Sequence, residues 1–123
     1  RSELGGTVIP GLSVDFSSVD FSDRGAVLGV AKTLEDTGVS AYNGAGIYLQ
    51  NPDLLTIAGK IVSVEARHAA SVRSILNPGS ADFAGDDVVD PITGLDVAVP
   101  PSEVLSAVAS TGFVTTEIVV ENA

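Results

Sequence analysis

Glu65-Ala66-Arg67-His68 sets a carboxylate and the chain's one histidine three residues apart within an otherwise apolar series. The series reads Leu54, Ala58, Ile61, Glu65, His68, Val72, Ile75, in steps of four and three that keep one helix face turned to one side. Ionisable groups at core-type positions are costly unless they are paired or hold a metal. A second series, Leu28, Ala31, Glu35, Gly38, Tyr42, Ala45, Leu49, has the same rhythm and again carries one glutamate. Carboxylate oxygens with an imidazole nitrogen are the ligand chemistry of iron and manganese, and the chain has no cysteine to favour a softer ion.

Two helices must position these groups. Ser22 or Asp23 can cap the first, expected over residues 24–49. Gly38, Gly44 and Gly46 each weaken it by about 1 kcal/mol relative to Ala, and they let a neighbouring helix or a ligand come close. Asn51-Pro52-Asp53 makes a tight break, and the second helix is expected from about Asp53 to Leu76, closed by Asn77-Pro78-Gly79. A connection this short makes an antiparallel hairpin. Glu35 lies ~22 Å of helix before the turn, and Glu65 and His68 lie ~20–24 Å after it, at about 1.5 Å per residue. The three side chains are therefore expected level with one another and facing inward.

The flanking segments are less regular. Residues 1–22 are rich in Gly, Ser and Pro and repeat Ser-Val-Asp-Phe-Ser at 13–17 and 18–22. They read as an extended crossover anchored by Phe16 and Phe21. Residues 78–123 hold an acidic loop with Asp82, Asp86, Asp87, Asp90 and Asp96, then a short helix from Glu103 to about Ala109 capped by Ser102. Thr115-Thr116-Glu117-Ile118-Val119-Val120 has β-type composition without an evident partner, so an extended tail on the bundle is expected. The expected organisation is thus a crossover (1–22), a two-helix hairpin (23–77) and a loop, short helix and tail (78–123). The overall class is all-α.

Composition narrows the functions. Sixteen acidic against six basic residues give a formal net charge of −10. That disfavours nucleic acid and anionic lipid, which need basic patches, and favours cations or a basic partner surface. No apolar run reaches the ~18 residues of a membrane span. The absence of cysteine excludes disulfides, iron–sulfur centres and thiolate zinc sites. A hydrolase triad lacks its Gly-x-Ser-x-Gly elbow, and no phosphate-cradling glycine loop occurs. The aspartates of 82–96 lack calcium-loop spacing and read as a solvated loop. Asp36, turned about 100° from Glu35, reads as solvated or supporting, and Tyr42 as a core tyrosine with a satisfied hydroxyl.

Glu together with Glu-x-x-His is half of a known ligand set. Ferritin-like carboxylate bundles bind two ions with a Glu from each of two helices and a Glu-x-x-His from each of the other two. Leu34-Glu35-Asp36-Thr37-Gly38-Val39-Ser40-Ala41-Tyr42-Asn43-Gly44-Ala45, followed by Val64-Glu65-Ala66-Arg67-His68-Ala69-Ala70, resembles bacterial ferritin-like proteins of the desiccation-related group over about residues 23–77. Pro100-Pro101-Ser102-Glu103-Val104-Leu105 is similar to the segment after the last bundle helix in that group. The resemblance implies that the hairpin is the C-terminal half of a four-helix bundle, with residues 1–22 crossing from the second helix. It implies iron or manganese ligands at Glu35, Glu65 and His68, and export to the periplasm or cell envelope.

The other half is then expected from an N-terminal segment of the same bundle or from a second copy, within a larger assembly. Arg1-Ser2-Glu3-Leu4-Gly5-Gly6 reads as a helix end with a glycine stop, so entry in mid-domain is expected. Two functions follow from different classes. One is a di-iron or di-manganese protein handling oxygen, peroxide or metal under oxidative or drying stress. The other is a non-enzymatic accessory subunit of an extracytoplasmic assembly, its Glu and His merely hydrogen-bonded. A calcium-dependent surface module is a third, weaker reading.

Overall fold

Asp23, not Ser22, opens the first helix. Its Oδ1 accepts from the N–H groups of Gly25 (2.7 Å) and Ala26 (3.2 Å), satisfying donors that a helix start leaves free. In the computed structural model, which describes residues 11–116, helix α1 spans Arg24–Ala45. It ends earlier than residue 49, and Gly46–Tyr48 tighten into a 3₁₀ turn. Gly44 and Gly46 at this end give the α conformation little to hold it. Asn51 caps helix α2, Pro52–Leu76, through Oδ1 to the N–H groups of Asp53 (2.9 Å) and Leu54 (3.4 Å). The two helices pack as an antiparallel hairpin. A second 3₁₀ turn, Asp82–Ala84, follows and packs on α2.

Helix α3, Pro101–Thr111, starts earlier than the expected Glu103 and packs on α1. Pro101 at its first position needs no N–H partner, so the helix begins there. Ser102 is consequently inside the first turn and not the cap; its carbonyl accepts from Ser106 Oγ at 2.9 Å. Gly112, with φ of 68°, closes the helix in the left-handed conformation.

Among the described residues there is no strand, only two isolated antiparallel bridges, Val14 with Val114 and Val89 with Asp96. The first supplies the partner that the C-terminal segment was expected to lack. The Asp15 N–H donates to the Phe113 carbonyl (2.8 Å) and the Thr115 N–H to that of Ser13 (2.9 Å). Phe16 stacks on Phe113 at 4.9 Å. Phe21 does not act as a second anchor, being 69% exposed. The duplicated motif forms two local turns instead, Asp15 and Asp20 each accepting from the N–H two residues on at 2.8 Å. Residues 117–120 of the tail and Arg1–Gly6 lie outside the described residues.

The interior differs from the expected one. Val39, Gly44, Ala69 and Arg73 are buried, whereas the Glu35 and Glu65–His68 series are half-buried, with His68 and Ile75 exposed. The reason is the path of the acidic loop. It returns across α1 on the far side, where the Val99 N–H donates to the Ser40 carbonyl at 3.0 Å. Gly44 and Glu35 are nine residues apart, about 180° around the helix. The loop therefore covers one side of the hairpin, and the two apolar series line the other.

Gly44 is what lets the loop sit there. A Cβ at this position would overlap the Val99 carbonyl oxygen and lie 2.6 Å from its carbon. Gly44→Ala gains about 1 kcal/mol of helix propensity. Forcing backbone apart costs about 1–3 kcal/mol, so a net loss of up to about 2 kcal/mol is expected. A lowered urea midpoint at unchanged slope would show it, and a raised midpoint would contradict the close packing.

Candidate metal centre

Glu35 projects from α1, and Glu65 and His68 from α2. His68 Nδ1 lies 3.6 Å from Glu35 Oε1 and 3.4 Å from Glu65 Oε2. One donor atom from each residue lies within 4.8 Å of the other two. The side chains are 27%, 31% and 55% exposed for Glu35, Glu65 and His68, so the cluster sits on the open side of the hairpin and not in a closed core.

The cluster is short of positive charge. Burial pushes the Glu35 carboxyl above its ordinary value, and the hydrogen bond and charge of Glu65 push it the same way, against a smaller opposing pull from His68. A carboxyl held above its ordinary value by a neighbouring carboxylate is relieved by a divalent cation. The donor set, two oxygens and a nitrogen with no thiolate, fits iron or manganese. Tyr42, on the same side of α1, is half-buried and makes no side-chain hydrogen bond to protein among the described residues.

The largest polar feature of the hairpin was not foreseen. Arg73 is 1% exposed and its guanidinium is saturated. Nε and Nη2 donate to Asp36 Oδ1 (3.0 Å) and Oδ2 (2.8 Å), a two-bond fork between α2 and α1. Nη1 and Nη2 donate to Asp87 Oδ1 (3.0 Å) and Oδ2 (2.7 Å), and Nη1 also reaches the Asp82 carbonyl (3.1 Å) and Oδ1 (3.3 Å). Hydrogen bonds to Asp36 and Asp87 raise the Arg73 pKa still further, and Arg73 holds the Asp87 carboxyl below its usual range. Asp36 is therefore not a solvated neighbour of Glu35, and the acidic loop is not merely solvated. Two of its aspartates hold a buried cation. Its sequence signal is the stripe one position along from Ile61, Glu65, His68 and Val72: Val62, Ala66, Ala69, Arg73, small residues ending in a charge.

A helical hairpin that joins a Glu on one helix to Glu-x-x-His on the other defines a class of carboxylate-bearing bundle. A family model for the ferritin-like domain matches residues 1–78, and the chain belongs to that family. Neither comparison with curated proteins nor comparison with solved structures gave a match.

Proposed function

We propose that Glu35, Glu65 and His68 hold iron or manganese as half of a two-metal carboxylate site, in a protein that handles oxygen, peroxide or the metal itself during desiccation or oxidative stress. The observation that carries this reading is the convergence of three donor atoms within 4.8 Å, from two helices, on the open side of the hairpin. A bound ion would supply Lewis-acid and redox chemistry toward oxygen species. Glu35 and Glu65 would neutralise it, and His68 would contribute a nitrogen donor.

The surroundings suit docking of the other half. Leu34, Ile57, Val64 and Ile75 are 38–53% exposed around or along the same side. A second helix pair, from an N-terminal segment of the same bundle or a second copy of the chain, would cover them and add the remaining Glu and Glu-x-x-His. No helix among the described residues is long and apolar enough to cross a membrane. The reading carries an extracytoplasmic location with it. One observation favours the accessory-subunit alternative: His68 itself bridges the two carboxylates, its Nδ1 3.6 Å from Glu35 and 3.4 Å from Glu65.

Elemental analysis separates the two. Protein exposed to Mn²⁺, or to Fe²⁺ without oxygen, and then desalted should retain about one ion per chain, half the complement of a full bundle. Retention no greater than that of a chelator-treated control would favour the accessory subunit.

A further inference from the structure

We propose that Arg73, acting through Asp36, is a positioning residue that sets the axial register of α1 against α2 and so brings Glu35 level with Glu65 and His68. The proposal rests on the metal reading given above.

The hairpin interface is built from short side chains. Val39 and Ala69 are buried in it, and Ala66 and Ala70 line the same space. Such helices have shallow ridges and grooves, so packing alone resists sliding weakly. A slide of one residue moves one helix by about 1.5 Å along the other. Metal ligands tolerate errors of only about 0.2 Å, and a slide of that size would pull the Glu35 carboxylate out of the cluster.

Among the described residues, the Arg73–Asp36 fork is the one side-chain hydrogen-bonded link between α1 and α2 outside the Glu–His cluster. Its two parallel N–H···O bonds, at 3.0 and 2.8 Å, fix direction as well as distance. Long helical side chains lean toward the N-terminus of their own helix. In an antiparallel pair, Asp36 and Arg73 therefore lean toward each other. Asp36 adjoins Glu35 in α1, and Arg73 follows His68 by five residues in α2, so the fork and the donor cluster ride on the same two rigid segments. Asp87 and Asp82 contact the guanidinium from the loop side.

The two carboxylates that grip Arg73 most closely thus have separable roles. Asp36 ties it to α1, whereas Asp87 ties it only to the loop. The chain has no native cysteine, so spin labels can be placed at the exposed positions Thr33→Cys and Arg67→Cys and the α1–α2 distance read without metal. Manganese binding is measured in parallel on the unlabelled proteins.

Asp36→Ala should shift or broaden the distance by about one residue's rise, ~1.5 Å, and Arg73→Lys, which keeps the charge but not the fork, should do the same. Both should weaken manganese binding about tenfold or more. Asp87→Ala should lower the melting temperature yet leave distance and affinity at wild-type values. Wild-type distances in Asp36→Ala, or equal changes in Asp36→Ala and Asp87→Ala, would overturn the proposal. A wild type that binds no manganese would instead sink the metal reading, and the distance measurement would still decide the register.

Discussion

Arg73→Ala is expected to destabilise the chain by about 3–5 kcal/mol, the cost of breaking a buried ion pair from one side. Truncation leaves Asp36, Asp82 and Asp87 converging on a space with no cation in it. Against a typical total of about 5–15 kcal/mol, that loss is a large fraction of the stability. Arg73→Met, which restores much of the volume but no donors, should rescue little. Urea titration followed by circular dichroism measures both. A loss below about 1 kcal/mol, the worth of an exposed pair, would contradict the network.

The same pair sets a pH dependence. Arg73 holds the Asp87 carboxyl below its ordinary value of 3.8 in the fold. The unfolded chain therefore binds more protons in that range. The stabilisation is complete above the ordinary value and is lost as pH falls through the lower, folded one. Asp87→Asn should flatten this acid limb.

Glu65→Ala is expected to act in opposite directions on two properties. Manganese affinity should fall by at least about a hundredfold, since a direct ligand is worth no less than the 10–100-fold of its supporting partners. The metal-free protein should become more stable by about 0.2–0.5 kcal/mol near neutral pH, the scale of a like-charge helix pair. Glu35 carries the sign. Its folded value lies above the ordinary 4.5, so its contribution is full below that value and is lost as pH rises through the folded one. Removing Glu65 relieves part of that loss. Urea midpoints in chelator across pH, set beside manganese titrations, test both halves; destabilisation together with unchanged affinity would mark Glu65 as purely structural. A site that weakens its own scaffold until a ligand arrives is the signature of function traded against stability.

These residues also show where the sequence is readable. Steps of three and four, a short connection and side-chain caps at Asp23 and Asn51 are local signals, and they yield the hairpin and the meeting of Glu35, Glu65 and His68. What periodicity does not show is which side is the interior. Each helix has two candidate stripes, and the larger residues, among them Ile57, Val64 and Ile75, mark the open side. The interior uses Ala and Gly, because helices and loop approach closely there. Arg73 was missed because its partners lie 9, 14 and 37 residues away, across a loop and on another helix, with no repeat to link them. Ser102 lost its capping role to two prolines, and the partner of Val114 lies a whole chain away at Val14.

The chain has a single histidine, which makes the central claim directly observable. Electron spin echo envelope modulation of bound Mn²⁺ should show one imidazole nitrogen coupling per ion-bearing chain. His68→Ala should abolish it while the helices remain intact by circular dichroism. A bound manganese without imidazole coupling in the wild type, or with the same coupling in His68→Ala, would contradict a centre built on Glu35, Glu65 and His68.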